Sequence, residues 1–323
     1  MILTEKNIKL YSSIGSRATF GLVALELVKE NDKLMILTSD VSTSAGLDRF
    51  RKTYLNNYLD VGIAEQNLIG VAAGMASEGY DVITTTFSPF QTLRCCEQIK
   101  VNLGYMKEKI IMIGLASGLV LGNLGFTHCS IEDIGVLRSI PNLTIISPAD
   151  CGETAKSVYA AIKHKNSVYI RLTGGTNNKS VFLSDYNFEI GKAIKLIDGE
   201  DISIFATGTM VKNALEVSAN LKKKNLNCSV INMHTIKPID RKIIIEECKK
   251  SKMIVSIEEH NVIGGLGSAI SEVKTQIKNA PPQILIGIKD RYSNGGNYDF
   301  MKQHHELDVP SLEKKIYEQF RKI

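Results

Sequence analysis

The chain has 323 residues, 44% of them hydrophobic and 23% charged, which predicts a globular fold with room for two α/β domains and little long disorder. Its 39 basic and 34 acidic residues leave a net charge of only +5. That excess is spread without a dense Lys/Arg block, so neither nucleic acid nor an anionic membrane surface is an expected partner. The polar N-terminus lacks a signal-peptide core, and no run of about 18 apolar residues predicts a membrane span. The six cysteines show no CxxC spacing, which removes the common zinc pattern and predicts a reduced, cytoplasmic chain.

Taken in order, residues 18–29 carry a helical apolar pattern and residues 34–37 a short strand. Residues 66–77 are almost wholly apolar or small, which predicts a helix buried all round. Strands are expected at 81–87, 109–116, 143–147 and 167–172, with an amphipathic helix at 151–163. Most of these runs are continuously apolar rather than alternating, as in parallel strands covered on both faces. The polar run Thr173-Gly174-Gly175-Thr176-Asn177-Asn178-Lys179 is loop chemistry and places a linker at 174–192. A second series follows: strands at 202–207, 228–233, 253–258 and 283–288, with an amphipathic helix at 211–224. The alternation predicts an α/β chain of two doubly wound open-sheet domains, residues 1–175 and 190–323, each with its own strands and core.

Some motifs lead nowhere. Gly264-Gly265-Leu266-Gly267 sits between a strand and a helix, but read as GxGxxG its last position is Ile270. A tight turn packing a helix on the sheet is the expectation there. The pair His304-His305 lies in a polar stretch and predicts solvated side chains rather than a metal pair.

Chemistry is concentrated between Tyr58 and His128. In Val61-Gly62-Ile63-Ala64-Glu65-Gln66-Asn67, a carboxylate opens a helix that continues as Leu68-Ile69-Gly70-Val71-Ala72-Ala73-Gly74-Met75-Ala76. A helix dipole favours a Glu on a solvated first turn. A Glu leading into so apolar a helix is better placed to be desolvated, and burial raises a carboxyl pKa toward neutrality.

These residues resemble the glutamate motif of the transketolase family. Thr85-Thr86-Phe87-Ser88-Pro89-Phe90 is similar to that family's Thr-Phe-x-x-Phe segment. Gly125-Phe126-Thr127-His128 resembles its Gly-x-Thr-His motif, and Ser39-Asp40-Val41 its Ser-Ala-Asp-Leu motif. Residues 204–210, 256–267 and 287–292 resemble its C-terminal domain, so the likeness spans nearly the whole chain in matching order.

The resemblance implies a thiamine diphosphate-binding, pyrimidine-type domain followed by a transketolase C-terminal-like domain. It implies that Glu65 hydrogen-bonds N1′ of the cofactor's aminopyrimidine. A proton shared there favours the imino form of the 4′-amino group, which can take the thiazolium C2 proton. Phe90 would stack on the pyrimidine with Phe87 lining the same pocket, and Asp40 would border it at a strand's carboxyl end. Leu93 stands where the family often has a further aromatic. His128 would face the substrate carbonyl and either donate a hydrogen bond or move a proton. Arg17, 23 residues before Asp40, and Ser44, four after it, match phosphate-ligand spacings, with Arg171 a third candidate.

Three departures shape the expectation. Leu124 replaces the acidic residue that reads a hydroxyl of the sugar donor, and Ala116 replaces a histidine near the phosphate. A leucine cannot accept that hydroxyl's hydrogen bond, so an altered sugar donor is expected. No Gly-Asp-Gly occurs in the chain, so Mg²⁺ and the diphosphate are expected mainly on a partner subunit. The resemblance thus implies one half of a split transketolase in an α2β2 heterotetramer, moving two-carbon ketol units between sugar phosphates. The alternative is the β subunit of a 2-oxo acid dehydrogenase E1 component, which shares the two-domain plan.

Overall fold

The computed structural model describes residues 1–323. The first half supplies β1 (Leu34–Thr38), β2 (Tyr58–Asp60), β3 (Asp81–Phe87), β4 (Ile110–Leu115), β5 (Leu143–Ile146) and β6 (Ser167–Arg171). The second supplies β7 (Ile194–Ile197), β8 (Ile202–Ala206), β9 (Cys228–Asn232), β10 (Thr235–Lys237), β11 (Met253–Asn261) and β12 (Gln283–Ile288). They form a seven-stranded sheet, β10-β5-β6-β4-β3-β1-β2, and a five-stranded sheet, β12-β11-β8-β9-β7. All pairs are parallel except two edge pairs, β10 on β5 and β7 on β9.

The first sheet is double-faced, which explains its continuous apolar strands. Ile36, Ile83, Ile111 and Val168 pack under the Glu5–Glu30 and Cys151–Lys163 helices. Met35, Leu37, Val82 and Met112 face Leu68, Ile69, Ala72 and Ala73 of the Glu65–Ser77 helix. Every strand expected from the sequence is present. The missed ones, β2, β7 and β10, have three or four residues and no long apolar run.

Three expectations need correction. The domains are not self-contained: β10 belongs to the second half of the chain but completes the first sheet, pairing Thr235 with Ile146. Leu119, Cys129, Ile131 and Ala149 in turn pack into the second domain's core. The Glu65–Ser77 helix is not buried all round, because Gln66, Asn67, Gly70 and Gly74 are exposed. Its small residues mimic a fully buried pattern, although only one face meets the sheet. Finally, His305 is buried and contacts Ser293 Oγ at 3.1 Å, so it is not in a solvated tail.

The glycine turn at 264–267 behaves as a packing device. The Glu258 carboxylate accepts N–H bonds from Leu266 (2.6 Å) and Gly267 (2.9 Å), occupying the start of the Leu266–Lys274 helix. A Cβ on Gly265 would lie 1.9 Å from Glu258 Oε2, so a larger residue there would have to push that carboxylate off the helix start.

A second buried carboxylate ties the halves together. Glu153 accepts from Ala149 N (2.6 Å), Tyr186 OH (3.0 Å) and Asn232 Nδ2 (2.8 Å). Burial, and then the nearby Asp150, push its carboxyl up to about 8 from an ordinary 4.5, against the pull of those hydrogen bonds. The folded chain therefore holds this proton more tightly than the unfolded chain. Its stabilising contribution is complete below about pH 4.5 and is lost as pH rises through about 8. Denaturant midpoints across that window are expected to fall with rising pH, and Glu153→Gln is expected to flatten the slope. An unchanged slope in the variant would assign it to other groups.

Candidate active site

The site is built on the carboxyl ends of β1 and β3. Asp60 organises the first of these. Its carboxylate accepts from Thr38 Oγ1 (2.8 Å), Tyr58 OH (3.1 Å), Asp40 N (3.0 Å) and Gly62 N (2.9 Å). Burial works against the charged form, but these bonds outweigh it and hold Asp60 below the usual carboxylate range. Asp40 is thereby held at a φ of 56°, with its own side chain exposed. Ser39 Oγ donates to Gly62 O (2.5 Å) and accepts from Ala64 N (3.0 Å). The strand end thus positions the turn that delivers Glu65. Asp60 directly precedes the glutamate motif, but nothing in its spacing marks it as the anchor.

Glu65 is 5% exposed although it opens a helix, and its carboxylate is not alone. Arg94 Nη1 lies 2.9 Å from Glu65 Oε2. The same guanidinium sits 4.0 Å from the centre of the Phe90 ring. Phe87 and His128 meet Phe90 edge-on, at 6.4 and 5.2 Å between centroids. Four side chains from three segments therefore converge: Glu65, Phe90, Arg94 and His128. Sequence reading missed Arg94; its one signal was a cation a helical turn after Phe90.

His128 sits on a loop clamped at its base. Gly118 and Ser130 exchange backbone hydrogen bonds of 2.9 and 3.0 Å, closing the loop between them. The second domain holds it further: Leu119 N donates to Glu259 Oε1 (2.7 Å), and Gly296 N donates to Gly122 O (3.0 Å). Leu124 is on the same loop, 53% exposed. Thr127 Oγ1 and His128 Nδ1 lie 3.0 Å apart, which fixes the ring.

Arg17 and Ser44 come from different elements that touch. The Glu5–Glu30 helix kinks at Gly15 (φ 85°), so Arg17 lies near the start of its second segment. A Cβ on Gly46 would lie 3.1 Å from Arg17 O, which brings the Ser44 loop against that segment. Arg17 is half-buried and forms no ion pair or side-chain hydrogen bond, and burial lowers its pKa.

Arg171 is a correction. It is 1% exposed and donates to Asp133 Oδ2 (2.8 Å), Ser130 O (2.9 Å) and Glu259 O (2.9 Å). Burial opposes the cation, but Asp133 leads the groups that outweigh it and raise its pKa. With Nε and Nη2 engaged and the side chain 1% exposed, the guanidinium does not face a substrate cleft. Arg171 instead fastens the base of the His128 loop to β11. The sequence placed it correctly at a strand end, but could not show that the second domain covers that end.

Comparison with known proteins identifies the family. A family model described as transketolase, pyrimidine binding domain matches residues 12–177, and one described as transketolase, C-terminal domain matches 191–311. The chain belongs to the transketolase family. Within it, similarity runs along nearly the full length of stand-alone C-terminal sections. It is 35% identical over 311 residues to a putative transketolase C-terminal section of Methanocaldococcus jannaschii, covering 95% of this chain and 97% of that one. It is 33% identical over 309 residues to an apulose-4-phosphate transketolase subunit of Phocaeicola vulgatus, covering 96% and 98%. Among solved structures, a split-gene transketolase described as an inactive β4 tetramer superposes with a TM-score of 0.85. That match has 31% identity and covers 96% of this chain and 99% of that one. All six cysteines are free thiols, and no helix is long and apolar enough to cross a membrane.

Proposed function

We propose that this chain is the pyrimidine-side subunit of a thiamine diphosphate-dependent transketolase. It works with a separate subunit that carries the diphosphate-binding domain and most of the Mg²⁺ ligands, in an α2β2 assembly, and moves a two-carbon ketol unit between phosphorylated sugars. The observation that carries this reading is the slot between Glu65 and Phe90. A flat, cationic group with an N–H edge already fits there, because the Arg94 guanidinium fills it. An aminopyrimidine needs the same flat face and the same carboxylate, so the residues present suit the cofactor.

Thiamine diphosphate, when bound, supplies an electron sink for cleaving the bond next to a ketose carbonyl. Glu65 would hold a proton at N1′ of its pyrimidine. Phe90 would orient the ring, with Phe87 at the pocket wall and Asp40 at its rim. His128, fixed by Thr127 and the clamped loop, would donate to oxygen atoms that gain charge. Arg17 is a cation without an internal partner, and with Ser44 nearby it would take the substrate phosphate.

Leu124 shares the His128 loop and offers no acceptor to a donor hydroxyl. We therefore place the donor outside the ordinary xylulose 5-phosphate type. The naming of the Phocaeicola relative for apulose 4-phosphate supports that choice. The β4 tetramer of the solved relative is described as inactive, which supports dependence on a partner chain.

The test is to co-express this chain with a second chain that carries the diphosphate-binding domain, add thiamine diphosphate and Mg²⁺, and screen ketose phosphates and 2-oxo acids. Ketol transfer is expected, with xylulose 5-phosphate a poor donor. Steady-state specificity for xylulose 5-phosphate equal to that of an ordinary transketolase would contradict the role of Leu124. Decarboxylation of 2-oxo acids would contradict the reaction class.

A further inference from the structure

We infer that Arg94 is a built-in substitute for the cofactor's aminopyrimidine, closing the pocket until the cofactor displaces it. The inference rests on the thiamine diphosphate reading above and adds a competitor to it. A guanidinium is planar, permanently charged and edged with N–H donors. Here its central carbon lies over the Phe90 ring, 4.0 Å from the centroid, and Nη1 reaches Glu65 Oε2 at 2.9 Å. A pyrimidine carrying a proton at N1′ needs that same pair of contacts. Phe87 and His128 approach Phe90 edge-on, with interplanar angles of 86° and 74°, whereas Arg94 lies over the ring.

The arrangement has a physical motive. A carboxylate as buried as Glu65 is costly when unpaired. Arg94 supplies the missing cation. It can also leave: its side chain is 43% exposed. Its backbone stays anchored, because Gln66 Nε2 donates to Arg94 O at 3.0 Å. Gln66 directly follows Glu65, so the hinge of the swing is tied to the helix that carries the carboxylate. Cofactor entry is then an exchange of one flat cation for another. Apparent affinity falls in proportion to the fraction of sites that Arg94 leaves open.

The experiment compares the wild-type complex with Arg94→Gln and Arg94→Lys, using thiamine diphosphate with Mg²⁺ as the probe in calorimetry and stopped-flow binding. If Arg94 closes about nine sites in ten, Arg94→Gln binds about tenfold more tightly, mainly through faster association. Arg94→Lys keeps the charge but loses the flat stack, and is expected to fall between. Equal or weaker binding by Arg94→Gln, when the wild-type complex binds the cofactor, overturns the inference alone. No binding by any of the three complexes overturns the thiamine diphosphate reading and the inference with it. A second readout needs no cofactor: in the full chain, the effects of Glu65→Gln and Arg94→Gln on Tm are expected to be non-additive. Additive effects would show that Glu65 and Arg94 are not coupled in the cofactor-free chain and would also overturn the inference.

Discussion

Replacing Glu65 by Gln is expected to lower turnover of the assembled complex by about 10²–10⁴-fold, the usual range for a lost proton-transfer group. Gln keeps the length and one acceptor oxygen but cannot hold the shared proton. The fold should survive. The neighbours on the sheet-facing side, Leu68, Ile69, Ala72 and Ala73, are untouched, and Ser39 still positions the preceding turn through Gly62 and Ala64. Unchanged far-UV circular dichroism with collapsed turnover is the expected pair of results. Wild-type-like turnover would remove Glu65 from the chemistry.

The largest loss of stability is expected at Arg171. Arg171→Met keeps much of the side chain's length and leaves Asp133, fully buried, without its cation. Breaking a buried pair from one side costs about 3–5 kcal/mol. It also frees Ser130 O and Glu259 O, which join the His128 loop to the second domain. A denaturant midpoint well below wild type is therefore expected, with weaker turnover because the loop is loosened. The contrast with a phosphate ligand is sharp. A substrate-binding arginine would raise KM and leave the midpoint of the cofactor-free chain unchanged, and that outcome would restore the discarded role.

Much of this was legible in the residues. Strands buried on both faces write continuous apolar text, so β1, β3, β4, β5 and β6 were readable, as were the aromatic pair and His128 by resemblance. What stayed hidden was long-range. β10 is three residues long and pairs 89 positions away, Thr235 on Ile146; no local pattern encodes that. The exposed face of the Glu65–Ser77 helix was misread because glycine and alanine suit either a core or a surface. Arg171 looked available because a strand end usually faces a cleft, but Asp133, Ser130 and the second domain's Glu259 enclose it. Arg94 was missed for the opposite reason: its position on a short turn gives an arginine no periodic signature, and its meaning comes from two partners that the fold brings together.

A chain that holds one half of a shared thiamine diphosphate site should need its partner to bind the cofactor, and that need is measurable. Titration calorimetry with thiamine diphosphate and Mg²⁺ tests it most directly, on this chain alone and on its complex with a diphosphate-binding subunit. Weak binding by the chain alone and tight, Mg²⁺-dependent binding by the complex are expected. Tight, Mg²⁺-dependent binding by the chain alone, or none by the complex, would contradict a shared site.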